Sequence, residues 1–156
     1  MQEKEKNAET APFYVDTFHP EDAQGIVELF RVVYGDSYPI GLFYHPEEII
    51  SANRDGRYIS FVVRTPENRV IGVSHLFPSA PYRGLYENGV ALVHPDYRKS
   101  KAFRELSAYI DEYIPRHPAV EVLWGESVCN HLVSQKMALT FQVIETALEI
   151  ALMPVE

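Results

Sequence analysis

One cysteine, one tryptophan and three methionines occur in 156 residues, and each scarcity removes a class of protein. Cys129 alone cannot close an internal disulfide, and without a Cys/His spacing there is no zinc site, so no metal is expected. No apolar run approaches the roughly 20 residues that cross a bilayer, and Met1 to Thr10 is polar with no apolar signal core. The expectation is a cytoplasmic protein with no membrane contact. Positive charge is also short: 14 Lys and Arg against 22 Asp and Glu leave a net charge of -8. That balance excludes the broad basic face of nucleic-acid binding. Internal repeats and low-complexity tracts are absent as well.

What is present is 46% apolar content in a length suited to one domain. Residues 1–11 read as a flexible tail and 12–156 as a single domain. Phe13 to Phe18 reads as a strand, and Pro20 to Tyr34 as a helix with Ala23, Ile26, Phe30 and Val33 on one face. A shorter helix opens at His45-Pro46. Tyr58 to Arg64 and Val70 to Phe77 read as a hairpin around Pro66-Glu67-Asn68. Leu85 to Val93 is the central strand, apolar without break from Val90 and so expected to be covered on both faces. Ala102 to Ile114 is strongly helical in period, Val120 to Trp124 is a strand, and Asn130 can cap a last helix running to about Leu139. Val143 to Met153 reads as a closing strand with edge character, where a homodimer could form.

The charge is unevenly distributed. Arg98, Lys99, Lys101 and Arg104 crowd into seven residues at the start of the helix that follows the central strand. Cations there oppose the helix dipole, by a few tenths of a kcal/mol each. A bound anion reverses that penalty, because the helix start already offers unpaired N–H groups. The plainer reading is a solvated helix start with Lys101 paired to Glu105.

The element order, with Val93-His-Pro-Asp-Tyr-Arg98 running into a helix, resembles the GCN5-related N-acetyltransferases, whose signature is V-x-P-x-Y-R-x-x-G-x-G/A between a strand and a helix. The resemblance spans about residues 12 to 154. It implies an α/β (α+β) fold with a mixed, mostly antiparallel sheet of six to seven strands flanked by about four helices. It also implies acetyl-coenzyme A as cosubstrate and an amine of a small molecule or protein as acceptor. By position, Leu92 and Val93 would hold the pantetheine arm, and Arg98, Lys99, Ser100, Lys101, Ala102 and Phe103 would cradle the diphosphate. The signature glycines fall at Lys101 and Phe103. Two readings follow: Lys101 replaces close backbone approach with a charge-assisted contact, or coenzyme affinity is weakened. The family's last helix, N-x-x-A-x-x-L-Y-x-x-x-G-F, places His131 at the asparagine, Ala138 at the tyrosine and Gln142-Val143 at the Gly-Phe pair. That tyrosine usually protonates the departing thiolate, and Ser134, one turn earlier on the same face, could hydrogen-bond the sulfur instead.

Acyl transfer to an amine needs a base for the ammonium proton and fixed N–H donors for the developing oxyanion. Glu87, six residues before Val93, stands where histone-acetylating relatives place their glutamate, and is the candidate base. A strand glutamate pointing at solvent is the plain alternative. Tyr34, Asp36, Tyr38, Phe43 and Tyr44 cluster in the loop after the first long helix, as an aromatic wall with one carboxylate for a cationic amine or as loop packing. The six histidines form no triad and read as structural. A module of the same fold that binds coenzyme A or a protein without catalysis is the competing functional class.

Overall fold

A computed structural model describes residues 11–127 and 132–148. The chain divides into two compact units, one ending at Glu126 and one beginning at Ser127. The first holds a five-stranded sheet in sequential order. Its strands are β1 (Tyr14–Thr17), β2 (Ile59–Arg64), β3 (Val70–Pro78), β4 (Leu85–Val93) and β5 (Val122–Trp124). Neighbours from β1 to β4 are antiparallel, and β4 and β5 are parallel. A parallel pair requires a crossover. Two helices, α1 (Ala23–Tyr34) and α2 (Pro46–Arg54), precede β2, and the crossover is made by the third, α3 (Ala102–Tyr113).

Helices α1 and α2 pack on one face of the sheet, where Ile26, Val27, Phe30, Phe43 and Ile49 meet Val62, Val73 and Leu92. On the other face Ala102, Leu106 and Ile110 of α3 cover Phe61, Val63, Ile71 and Tyr86. The alternation Phe61/Val62/Val63 feeds both cores in turn, and so β2 is buried on both sides. Residue 25 must be small, since a Cβ there would lie 2.6 Å from Val70 Cγ2.

One buried charge pair fastens α1 to the sheet. Pro20 starts a 3-10 turn, and Asp22 accepts the His19 N–H at 2.6 Å, which commits one carboxylate oxygen to the helix start. Arg64 at the end of β2 meets the same carboxylate with Nε at 2.6 Å and with a second nitrogen, and donates to Thr17 O at 3.0 Å. Both side chains are almost fully buried, at 4% and 3% exposure.

Two sequence expectations are corrected. The six to seven strands become five among the described residues. No strand forms over 143–148, and the rest of the expected closing strand lies outside the described residues. Val143, Ile144 and Leu148 have strand-like or apolar side chains but are more than half exposed. Strand propensity expresses packing against neighbours, and within its unit this segment has no partner strand among the described residues. The second correction concerns β4, which is not covered on both faces beyond Val90: Ala91 is exposed and Leu92 buried. The cause is an irregularity in the ladder, described below.

Removing the Asp22 carboxylate leaves the buried Arg64 guanidinium with only the Asp16 carboxylate at 3.7 Å and the Thr17 carbonyl, a loss of about 3–5 kcal/mol when the main partner of a buried pair is deleted. Urea denaturation of Asp22→Ala is expected to show a loss of that size with unchanged steepness. A loss below about 1 kcal/mol contradicts the fastening role.

Candidate functional site

Strand β4 changes character along its length. Leu85, Tyr86 and Glu87 pair with Val122, Leu123 and Trp124 of β5, and there the pairing stops. Residues 88–93 have no strand partner on that side among the described residues. On the β3 side, Val73 pairs with Leu92 but His75 pairs with Gly89, so Ser74 faces two residues, Val90 and Ala91. This is a β-bulge. Val90 takes φ +54°, a genuine outlier for a β-branched residue and a conformation that costs on the order of 1–3 kcal/mol. Ser74 Oγ braces the bulge by donating to Asn88 Oδ1 at 2.7 Å.

Beyond β4 the chain is pinned at each step. His94 N–H donates to Ile71 O at 2.8 Å, and Tyr97 N–H to His94 O at 2.8 Å. Arg69 donates to His94 Nε2 at 2.8 Å; a guanidinium has no lone pair to offer, so Nε2 is the acceptor. Burial, then the neighbouring Arg69 charge, holds the His94 imidazole below its ordinary range. Ser100 closes the turn, with Oγ donating to Tyr97 O at 2.7 Å and accepting from Ala102 N–H at 3.1 Å.

The backbone at the two positions of the family glycines is right-handed. Lys101 sits at the helix cap with φ -81° and ψ 3°, and Phe103 lies inside α3, so neither position needs a left-handed backbone. Arg98, Lys99, Lys101 and Arg104 are exposed around the start of α3, while Ala102 is buried beneath it.

Glu87 projects from β4 on the face that carries α1 and α2. Burial first, and then the Glu126 charge, raise its carboxyl, while a hydrogen bond from Ser79 pulls the other way. Tyr38 and Tyr58 feel the Glu87 charge, and burial lifts the Tyr38 phenol to about 12. Tyr58 edges onto Phe77 at 5.3 Å between ring centres.

The other candidate residues are placed unevenly. Phe43 is fully buried and stacked on Phe30 at 4.5 Å. Tyr34 and Tyr38 pack together at 4.8 Å, and Tyr44 Oη accepts the Tyr38 N–H at 2.8 Å. Asp36 is 90% exposed, with Arg31 Nε 3.9 Å away. Leu92 is buried in the α1 face and Val93 packs toward α3. In the second unit, Ser134 lies in α4 (Val133–Thr140), and its Oγ is buried without a hydrogen-bond partner among the described residues. Gln142 holds φ +55° at the site of the family glycine, and Val143 N–H closes the helix end on Ala138 O at 3.0 Å. Cys129, Asn130 and His131 lie outside the described residues.

No family model matches the sequence, and no curated protein matches it. The fold is matched closely by solved structures. AAC(6')-Iy in complex with the bisubstrate analogue CoA-S-monomethyl-acetylneamine aligns with a TM-score of 0.70 at 14% identity, covering 93% of this chain and 99% of that one. An acetyltransferase of Trypanosoma brucei aligns at 0.64 and 18% identity, over 90% and 100%. Glucosamine-6-phosphate N-acetyltransferase of Arabidopsis thaliana aligns at 0.67 and 7% identity, over 90% and 97%. The chain has the GCN5-related N-acetyltransferase fold.

Within that acetyltransferase fold, two features escaped the sequence reading: the bulge at Val90 and the place of Tyr58 and Phe77 beside Glu87. Gly89 inside an apolar strand is the signal that could have found the bulge. His75 is completely buried, with Nδ1 2.6 Å from Ser60 Oγ and its ring against Phe43 and Tyr58. Burial lowers its pKa to about 3, so it is neutral in the folded protein.

The unfolded chain protonates His75 below about pH 6.5 and the folded chain does not, so stability is complete above that value and falls as pH drops toward 3. Between about pH 6.5 and 5 the wild type is expected to lose roughly 1–2 kcal/mol more than His75→Phe. Parallel stability-versus-pH curves from chemical denaturation contradict this.

Proposed function

We propose that this chain is an acetyl-coenzyme A dependent N-acetyltransferase that moves an acetyl group directly to an amine in a ternary complex. The observation that carries the reading is the convergence on one strand of a carboxyl with a raised pKa, an unpaired edge opened by a strained bulge, and a cationic helix start. The solved structures of this fold supply the prior, and amine acetyltransferases are among them.

The roles follow from the chemistry of each group. Arg98, Lys99, Lys101 and the first N–H groups of α3 would take the diphosphate, with Ser100, Ala102 and Phe103 shaping the turn. The free edge of β4 at Leu92 and Val93 would receive the amide-bearing pantetheine arm as a strand receives a peptide. Backbone N–H groups at the bulge would stabilise the oxygen that gains charge as the amine attacks. Glu87, with its pKa raised above the ordinary carboxylate range, would take the ammonium proton directly or through a water. Tyr34, Tyr38 and Asp36 would border the acceptor.

The departing thiolate has an ordinary pKa of about 8.5 and leaves without obligatory protonation. By its position in the family's last helix, Ser134 is the candidate donor to the sulfur. Ala138 at the position of the family tyrosine favours a second reading, a coenzyme-binding module that does not turn over.

An acceptor screen with acetyl-coenzyme A separates the two readings. On any acceptor that reacts, Glu87→Gln is expected to lower kcat by about 10²–10⁴ with little change in coenzyme affinity, and to abolish the acidic limb of the pH profile. Wild-type turnover with an unchanged limb in this variant removes Glu87 as the base. Tight coenzyme binding with no acceptor turned over favours the module.

A further inference from the structure

Two residues 25 positions apart in the chain meet where β4 ends. The turn between β2 and β3 is closed by Thr65 N–H donating to Arg69 O at 3.0 Å and Asn68 N–H to Thr65 O at 2.9 Å. That fixes the backbone of Arg69, whose guanidinium reaches His94 Nε2 at 2.8 Å. His94 directly follows β4 and caps the 3-10 turn Pro95–Tyr97 that leads to α3. Its ring is buried and meets the Tyr97 ring edge-on at 6.0 Å. Backbone bonds to Ile71 O and from Tyr97 N–H converge on the same residue, so the direction in which the turn leaves β4 is set at His94.

Lone-pair counting makes the Arg69 contact conditional. A neutral imidazole has one nitrogen lone pair to offer and an imidazolium has none. Two donors face the ring, Arg69 at Nε2 at 2.8 Å and the Asp96 N–H at Nδ1 at 3.2 Å. They are alternatives, and the shorter contact from the charged donor takes the lone pair. Nδ1 then carries the proton, with the Asp96 carboxylate 3.8 Å away. Protonation of Nε2 removes the acceptor and sets a cation against Arg69. Burial first, then Arg69, hold the ring below its ordinary range; Asp96 opposes them, and Arg98 adds to them.

We propose that Arg69 is a positioning residue for the turn that receives the coenzyme diphosphate, acting through neutral His94 as a latch that protonation of the imidazole opens. Its service to the coenzyme rests on the acetyltransferase reading; the latch itself does not.

The test is ring-nitrogen NMR of the full chain between about pH 4 and 8. Wild-type His94 is expected in the Nδ1–H form, with a midpoint below the ordinary histidine value of about 6.5. Arg69→Ala is expected to move the proton to Nε2 and raise the midpoint by about 0.5–1 pH unit, and Arg69→Lys to reverse both. Arg69 is exposed, so these substitutions leave the core intact. The Tyr97 and Ser100 amide signals are expected to titrate with His94, and to stop doing so in His94→Gln, which keeps an acceptor but takes no proton. An unchanged tautomer and midpoint in Arg69→Ala, or amide titration that persists in His94→Gln, overturns the latch. In calorimetry with acetyl-coenzyme A at about pH 7.5, Arg69→Ala is expected to raise Kd about threefold to tenfold, and to add nothing in a His94→Phe background. No change in Kd, or an equal loss in both backgrounds, overturns the positioning role. A latch seen by NMR in a protein that binds no coenzyme upholds the latch and counts against the acetyltransferase reading alone.

Discussion

Strand β4 cannot be an ordinary strand along its whole length, and the candidate site depends on where it ceases to be one. Up to Glu87 it is paired on both sides; from Asn88 onward the β5 side has no strand among the described residues, and at Val90 the backbone is forced into φ +54°. A β-branched residue in that conformation is unfavourable on its own and persists only where its surroundings impose it. Here they do. Val73 and Leu92 lock one flank in the α1 core, His94 is tied to Ile71 on the other, and Ser74 grips Asn88 between them. On the other side of the same residues, the backbone groups of β4 facing away from β3 have no strand partner among the described residues.

The site's electrostatics follow from the same geometry. The end of the β4–β5 ladder leaves Glu87 at the last paired position, partly covered and close to Glu126, which favours its neutral form. The cations come from the turn that leaves the other end of the open edge: α3 begins at Ala102, and Arg98, Lys99 and Lys101 immediately precede it. An anion at that helix start would offset both the dipole penalty and the mutual repulsion of the lysines and arginines.

Much of the fold was legible because the periodicities are strong. The face of α1 through Ala23, Ile26 and Phe30 is buried as read, and β4 has the expected limits Leu85 and Val93. The cationic turn was legible through its charges in an acidic chain. What the sequence hid depends on contacts between distant segments. Arg64 meets Asp22 across 42 residues, and Trp124 reaches Ser79 across 45. The aromatic loop illustrates the same limit: Phe43 is a core residue stacked on Phe30, while Tyr58 and Phe77, from outside that loop, stand beside Glu87. No local pattern distinguishes those two roles. Over its described residues, 143–148, the expected closing strand does not form, since an apolar β-branched segment records a capacity to pair and not the presence of a partner.

On the proposed function, the turn from Arg98 to Phe103 would bind a diphosphate without the family glycines. Calorimetric titration with acetyl-coenzyme A, against an analogue lacking the diphosphate, tests it without knowledge of the acceptor. Binding with a Kd on the order of micromolar is expected, weakening with salt, lost with the analogue, and with a Kd at least about tenfold higher in Lys101→Glu. Equal affinity for the analogue, or for Lys101→Glu, would contradict it.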